Sequence, residues 1–307
     1  MKRVLVTGGL GFIGTSLVPK LQRKFGAEIR IFDNMSNPSG DLAITDGIEI
    51  VEGDVRDAGA VHEAVRSMDA VVHLAAHTRV IDSIEDPQLN FDINTTGTFN
   101  VLEAMRQEDV PSLVNASTGG AILGEVPPPI NEDIAAKPAS PYGASKLAGE
   151  GYCWAYAQSY GLKAASLRFS NIYGPNSRRK SSVVAAFIKN IRETGAVTVY
   201  GDGSQTRDYL FVDDLTDGIV RAIEAGAAGT YQLGFGKPTS VNALIDIIRD
   251  TTGTEFSVTY EPARAGEILH TYCDIAKARG AIGYDPTTEL DEGVRRTWDW
   301  FETSGHA

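Results

Sequence analysis

The hydroxyl of Tyr142 and the ammonium of Lys146 are the two groups in this sequence best suited to moving a proton. They stand four residues apart in P-Y-G-A-S-K, at the start of a helical stretch, so both side chains point to one side. A free tyrosine is a poor base near neutral pH, because its ordinary pKa is about 10. A lysine alongside stabilises the phenolate, and a fall to about 7 would amount to about 4 kcal/mol of differential stabilisation. A tyrosine tuned in this way accepts a proton from an alcohol and returns it. Thr118, with its neighbour Ser117 as the alternative, ends a strand expected close by, and its hydroxyl could bridge tyrosine and substrate. Tyr-x-x-x-Lys is common on surface helices, so the pair gains meaning only from what surrounds it.

The elements that must position the pair begin at Lys2, with K-R-V-L-V-T-G-G-L-G-F-I-G. An apolar strand, Val4 to Val6, runs into a glycine turn and a helix that continues to about Lys24. Gly8 permits the turn, Gly11 lets a phosphate approach the backbone, and Gly14 lets helix and strand pack closely. The amides at the helix start, those of Phe12 and Ile13 among them, are free to hold a pyrophosphate. The next strand, Glu28 to Phe32, ends at Asp33, 19 residues beyond Gly14. A carboxylate there accepts hydrogen bonds from both hydroxyls of an adenosine ribose and repels a 2′-phosphate, which points to NAD and not NADP. The alternative reading of Asp33 is a turn-forming residue before Asn34. The strand Ile48 to Glu52 leads to Asp54 and Val55, where Asp54 is placed to reach the adenine amino group. A helix from Asp57 to Arg66 precedes the strand Ala70 to Leu74, which ends in Ala75 and Ala76, small enough for a flat cofactor to lie beside. A long helix, Gln88 to Glu108, is interrupted in register only by Gly97, and the strand Ser112 to Ala116 follows. Strands alternating with helices imply a doubly wound α/β fold with a parallel sheet.

The second half changes character. A helix over Tyr142 to Tyr160 and a strand over Leu162 to Phe169 are followed by Ser177-Arg178-Arg179-Lys180, the only dense basic cluster. Helices are expected over Ser182 to Glu193, Asp213 to Ala225 and Leu290 to Phe301, with a polar loop at Gly201 to Arg207. Pieces of a smaller lobe are interleaved with the first. The chain has 307 residues, 42% hydrophobic, with a net charge of −12, so it is large enough for a substantial core and unsuited to duplex DNA or anionic membranes. Cys153 and Cys273 have no metal-like spacing and are expected as free thiols. His73 and His77 are separated by apolar residues, and no metal site is expected. No run is long enough to span a membrane and the first strand starts almost at Met1, so a cytoplasmic protein is expected.

The blocks T-G-G-L-G-F-I-G, Asp33, H-L-A-A, S-T-G-G-A, P-Y-G-A-S-K and R-F-S-N-I-Y-G-P occur in this order. Together the chain resembles the extended short-chain dehydrogenase/reductase family, the nucleotide-sugar epimerases and dehydratases, and within it the UDP-glucose and UDP-glucuronate 4-epimerases. G-D-G-S-Q-T-R-D-Y-L-F-V-D-D-L and P-A-R-A-G-E extend the likeness over nearly the whole chain. The resemblance implies an NAD-binding Rossmann domain over residues 1–170 and 206–235, and a nucleotide-sugar domain over 171–205 and 236–307. It makes Tyr142 the proton acceptor and Lys146 its partner and a ribose ligand, with Thr118 as the triad hydroxyl and Ser117 second. It assigns Asn171, Arg207 and Arg264 to the substrate pyrophosphate and Glu267 to the uridine ribose, and places Thr78 with the substrate contacts. Asp33, Asn34, Asp54, Val55, Leu74, Ala75 and Ala76 complete the cofactor set. A homodimer is implied through Gln88 to Glu108 and Tyr142 to Tyr160.

Two departures from the family pattern matter. Leu123 stands where the family usually carries a tyrosine, so an aromatic wall at the cofactor or sugar is in question. The 4,6-dehydratases carry Asp-Glu directly after their threonine, and here those places are Gly119 and Gly120, which leaves elimination without an evident catalyst. The expected reaction is therefore NAD-dependent 4-epimerisation of a UDP-sugar through a 4-keto intermediate. If the cluster Arg178-Arg179-Lys180 faces the sugar it would suit a 6-carboxylate, with Arg178 and Arg179 as the candidate substrate contacts; otherwise it is solvated or contacts a diphosphate. The rival readings are a sugar-nucleotide reductase or dehydrogenase, which would consume external cofactor, and a non-catalytic NAD-binding scaffold.

Overall fold

Val4, Leu5 and Val6 are without solvent exposure, as befits a strand covered on both faces, and they form the middle of the first strand of a computed structural model. The structure describes residues 1–39, 46–180, 182–263 and 269–304. In chain order the first half comprises β1 (Arg3–Thr7), α1 (Phe12–Phe25), β2 (Glu28–Asp33), β3 (Ile48–Glu52), α2 (Ala58–Val65) and β4 (Ala70–His73). Next come α3 (Val80–Glu85), α4 (Pro87–Phe91), a π-helical turn at Asp92–Thr96, α5 (Gly97–Gln107), β5 (Ser112–Thr118), α6 (Gly120–Leu123), α7 (Pro141–Tyr160) and β6 (Lys163–Phe169). The second half holds β7 (Asn171–Tyr173), α8 (Val183–Thr194), β8 (Ala196–Tyr200), β9 (Thr206–Arg207), β10 (Tyr209–Phe211), α9 (Val212–Glu224) and β11 (Gly229–Leu233). It closes with β12 (Thr239–Ser240), α10 (Val241–Thr252), β13 (Ser257–Glu261), α11 (Ala276–Ile282) and α12 (Leu290–Thr303).

The main sheet has seven strands in the order β11-β6-β5-β4-β1-β2-β3, every neighbouring pair parallel. The order reverses about β1, which lies between β2 and β4, and a crevice opens beyond the carboxyl ends of strands at such a point. That is the doubly wound sheet expected from the alternation of strands and helices. Strand β5 runs two residues further than expected. Ser117 pairs with Arg168 and Thr118 with Phe169 of β6, so both hydroxyl residues are held by the sheet and not by a loop.

Helix α7 is well specified by its ends. Ser140 caps it by accepting from the Gly143 amide at 3.2 Å, Pro141 occupies the first turn, and Gly161 closes it in the left-handed conformation. The long helix expected over Gln88 to Glu108 is instead divided into α4, the π turn and α5. The π turn directs Asn94 to the backbone of His77, from whose amide it accepts at 2.8 Å and to whose carbonyl it donates at 3.0 Å. Such one-turn insertions are frequent beside functional sites. Gly97 is required by packing, since a Cβ there would lie 2.7 Å from a methyl of Val55.

A second apolar cluster gathers α8, α10, α12 and the parallel pair β8–β13, with Phe187, Leu244, Trp298 and Phe301 buried in it. It is tied to the sheet side by Asp214 of α9, whose carboxylate accepts the amides of Thr287 (3.1 Å) and Thr288 (3.0 Å), and by an ion pair of Asp213 with Arg296. No helix of the described residues is long and apolar enough to cross a membrane.

Candidate active site

A cavity of about 1090 Å³ lies beyond the carboxyl ends of β1, β2, β4 and β5 and extends between the sheet and the second cluster. Sites for one drug-sized ligand span about 300–1,000 Å³, so this one stands at the top of that range. Its walls bring together the expected residues from distant parts of the chain: Gly8, Gly11, Phe12, Ile13 and Gly14 at one end, then Asp33, Asn34, Asp54 and Val55. Leu74, Ala75, Ala76, Ser117, Thr118, Tyr142 and Lys146 form the middle, with Thr78, Asn171, Arg179 and Arg207 further on.

The glycine turn has the shape a dinucleotide needs. Gly8 has φ +68, and a Cβ on it would come within 2.7 Å of the Ala75 amide nitrogen. At Gly14 a Cβ would lie 2.3 Å from the Gly9 carbonyl oxygen. No side chain caps α1, which leaves the amides of its first turn facing the cavity for an anion. Asp33 is aimed by two amides, accepting from Leu10 at 3.0 Å through one oxygen and from Met35 at 2.9 Å through the other. Asp54 accepts from the Arg56 side chain at 2.9 and 2.7 Å and from Asn34 at 3.4 Å, and these hydrogen bonds, Arg56 first, hold its carboxyl down at about 2. Its carboxylate is thus partly committed within the chain before any adenine arrives.

Tyr142 and Lys146 project from the first turns of α7 toward β5, and the Tyr142 phenol faces the Thr118 hydroxyl. Thr118, and not Ser117, is the hydroxyl that meets the tyrosine. Ser117 points to the other side of the strand and donates to Glu150 at 2.6 Å, consistent with the alternation of side chains along β5. The expected lowering of the tyrosine pKa is not found in this arrangement. Burial dominates and pushes the phenol up to about 12, opposed only by the Thr118 hydrogen bond. The Lys146 ammonium donates to the Ala116 carbonyl at 2.9 Å, and burial brings its own pKa down to about 8, so it remains mainly charged at neutral pH. A phenolate at Tyr142 therefore needs a further positive influence from what binds in the cavity.

The basic loop after β7 divides differently from expectation. Arg179 and Lys180 line the cavity, whereas Arg178 is not part of its wall. A loop has no fixed side-chain period, so spacing does not separate three consecutive cations. Lys180, read from the sequence only as part of the basic cluster, joins Arg179 in the cavity wall. Arg207 faces the cavity and donates through one nitrogen to the carbonyls of Thr206 (2.9 Å) and Leu269 (3.1 Å). Arg264 and Glu267 lie outside the described residues. Leu123 is fully buried in the main core and takes no part in the cavity wall. At Gly119 a Cβ would meet the Gln232 side-chain oxygen at 2.8 Å and Ile130 at 3.1 Å, so no acid would fit there without rearrangement. Cys153 and Cys273 are free and buried.

Comparison with known proteins gives the same picture. The model of the family described as "NAD dependent epimerase/dehydratase family" matches residues 4–234. A putative UDP-glucose 4-epimerase of Methanocaldococcus jannaschii is 37% identical over 305 residues, covering 98% of this chain and 99% of the relative. A UDP-glucuronate 4-epimerase of Thermodesulfobacterium geofontis is 32% identical over 309 residues, covering 96% and 95%. The structure of the UDP-N-acetylglucosamine 4-epimerase from Methanobrevibacter ruminantium M1, in complex with UDP-N-acetylmuramic acid, superposes with a TM-score of 0.93 at 29% identity, over 99% of each chain. With its family match spanning most of the length and its relatives end to end, this chain belongs to the NAD-dependent epimerase/dehydratase family.

Proposed function

We propose that the protein is a UDP-sugar 4-epimerase acting through a transient 4-keto sugar. The observation that carries this reading is the meeting of Thr118, Tyr142 and Lys146 in the same cavity as the glycine turn and Asp33. NAD, when bound, supplies a ring that takes up a hydride and gives it back, and whose positive charge in the oxidised state favours a phenolate nearby. Gly8, Gly11 and the first turn of α1 would hold its pyrophosphate, Asp33 its adenosine ribose, and Lys146 the other ribose. Tyr142 accepts the proton of the sugar 4-hydroxyl, Thr118 aligns the two oxygens, and Lys146 stabilises the phenolate by its charge. Returning the proton completes a cycle with no net redox change. Gly119 and Gly120, in the places where the 4,6-dehydratases carry Asp-Glu, support epimerisation over 4,6-elimination.

Asn171 and Arg207 are assigned to the substrate diphosphate, with Arg264 and Glu267 as further candidates from the resemblance. Of Arg178 and Arg179, Arg179 is the candidate kept for a sugar carboxylate, because it lines the cavity. We assign 1–170 and 206–235 to the NAD domain and 171–205 and 236–307 to the sugar-nucleotide domain; the second apolar cluster supports this for α8, α10 and α12, while α11 packs into the main core. Exposed Phe91, Phe99, Tyr152 and Trp154 on α4, α5 and α7 support a homodimer through these helices, and the free buried thiols favour the cytoplasm.

The test is turnover of UDP-glucose, UDP-N-acetylglucosamine and UDP-glucuronate without added reductant, with products separated by ion-pair chromatography. A 4-epimer should form from at least one, and Tyr142→Phe should lower kcat by about 10²–10⁴-fold while NAD content stays the same. Stoichiometric consumption of external NADH by the native enzyme would instead establish a net reductase.

A further inference from the structure

The loop joining β7 to α8 belongs to the sugar side of the cavity, yet Lys180 reaches from it to the opposite wall. Its Nζ lies 5.9 Å from the centroid of the Phe12 ring, at the first residue of α1. It is also near enough to Lys146 for the two ammonium groups to repel. Among the described residues no carboxylate, carbonyl or hydroxyl accepts a hydrogen bond from the Lys180 ammonium. It faces the Phe12 ring, and burial lowers its pKa with no acid to offset the loss of water. A cation in that position, at the helix end that already favours anions and beside another cation, is matched by a doubly charged anion in the cavity.

We propose that Lys180 is a cofactor-retaining residue, pairing with the pyrophosphate of bound NAD from the sugar-nucleotide side of the cavity. Its position over the first residue of α1 favours the dinucleotide over the substrate diphosphate, whose candidate partners Asn171 and Arg207 stand on β7 and β9. A redox-neutral enzyme must keep its cofactor from one turnover to the next. A clamp spanning the cavity serves that need better than the glycine turn alone, because release then requires the loop to withdraw. The inference rests on NAD as the cofactor and is independent of which sugar is turned over.

Two variants test it. Lys180→Met keeps the apolar stem and removes the charge, and Lys180→Arg keeps the charge. NAD binding to stripped protein is measured by calorimetry, NAD content of the purified protein by acid extraction, and UDP binding in the presence of saturating NAD. The expected result for Lys180→Met is a rise in the NAD Kd of about tenfold or more, equivalent to about 1.4 kcal/mol, with reduced NAD content. Lys180→Arg should stay within about threefold of the native protein, and the UDP Kd of both within about twofold, since a single charge-assisted contact is at issue. An NAD Kd unchanged in Lys180→Met overturns the assignment, as does a UDP Kd that rises as much as or more than that for NAD. If Lys180→Met does not fold, Lys180→Gln is judged by the same criteria.

Discussion

Replacing Glu150 or Arg168 singly should destabilise this protein far more than replacing both. Glu150 lies one turn beyond Lys146 on α7, and its carboxylate accepts from Arg168 Nε at 2.9 Å, from Arg168 Nη2 at 2.8 Å and from Ser117 at 2.6 Å. Both side chains are only 6% exposed, and Arg168 Nη1 is buried without a partner. Glu150→Leu leaves a guanidinium with no counter-charge, and Arg168→Met leaves a carboxylate supported only by Ser117. Each should cost about 3–5 kcal/mol, a large part of a typical total stability of about 5–15 kcal/mol. The double variant places apolar groups of similar volume between α7, β5 and β6 and should fall within about 2 kcal/mol of native. The coupling energy between the sites is then about 4 kcal/mol or more. Urea unfolding followed by tryptophan fluorescence at saturating NAD measures all four proteins. A cost below about 1 kcal/mol for Glu150→Leu, or a double variant less stable than either single one, would refute the reasoning that the pair is held out of water.

Two further outcomes follow from the structure. His73 is buried between Thr7 (2.7 Å from Nδ1) and Thr98 (3.1 Å from Nε2), and burial first, then Lys146, brings its pKa down to about 3. Because the unfolded chain binds this proton first, its contribution is full above about pH 6.5 and is lost as pH falls toward 3. Native stability minus that of His73→Asn should therefore decline by about 3 kcal/mol between pH 7 and 4 in urea titrations, and a flat difference would show that His73 does not titrate this way. Phe99 packs edge-on against Tyr152 at 5.7 Å on an exposed aromatic face of α5 and α7, so Phe99→Glu should convert a two-chain species to one chain in sedimentation velocity. A native protein that already sediments as one chain would contradict the homodimer.

The sequence by itself determined the α/β class, the glycine turn, Asp33 and the Tyr142–Lys146 pair, because these depend on local periodicity, backbone freedom and fixed spacing along one helix. Its ordered motifs also carried the family and the reaction class. It did not show the π turn at Asp92–Thr96, where Asn94 reaches the backbone of His77, a contact 17 residues back that helical periodicity does not register. Nor did it decide between Ser117 and Thr118, which are both hydroxyl residues at a strand end. Pairing of β5 with β6 decided that, sending Ser117 to the buried Glu150 and Thr118 to Tyr142. The same holds for the basic loop, where only the packed cavity distinguishes Lys180 from Arg178, and for the Tyr142 phenol. Its spacing from Lys146 suggested a lowered pKa, but burial by surrounding elements raises it. Local sequence supplies the groups; desolvation and orientation are properties of the packed chain, because they depend on every segment that displaces water from around them.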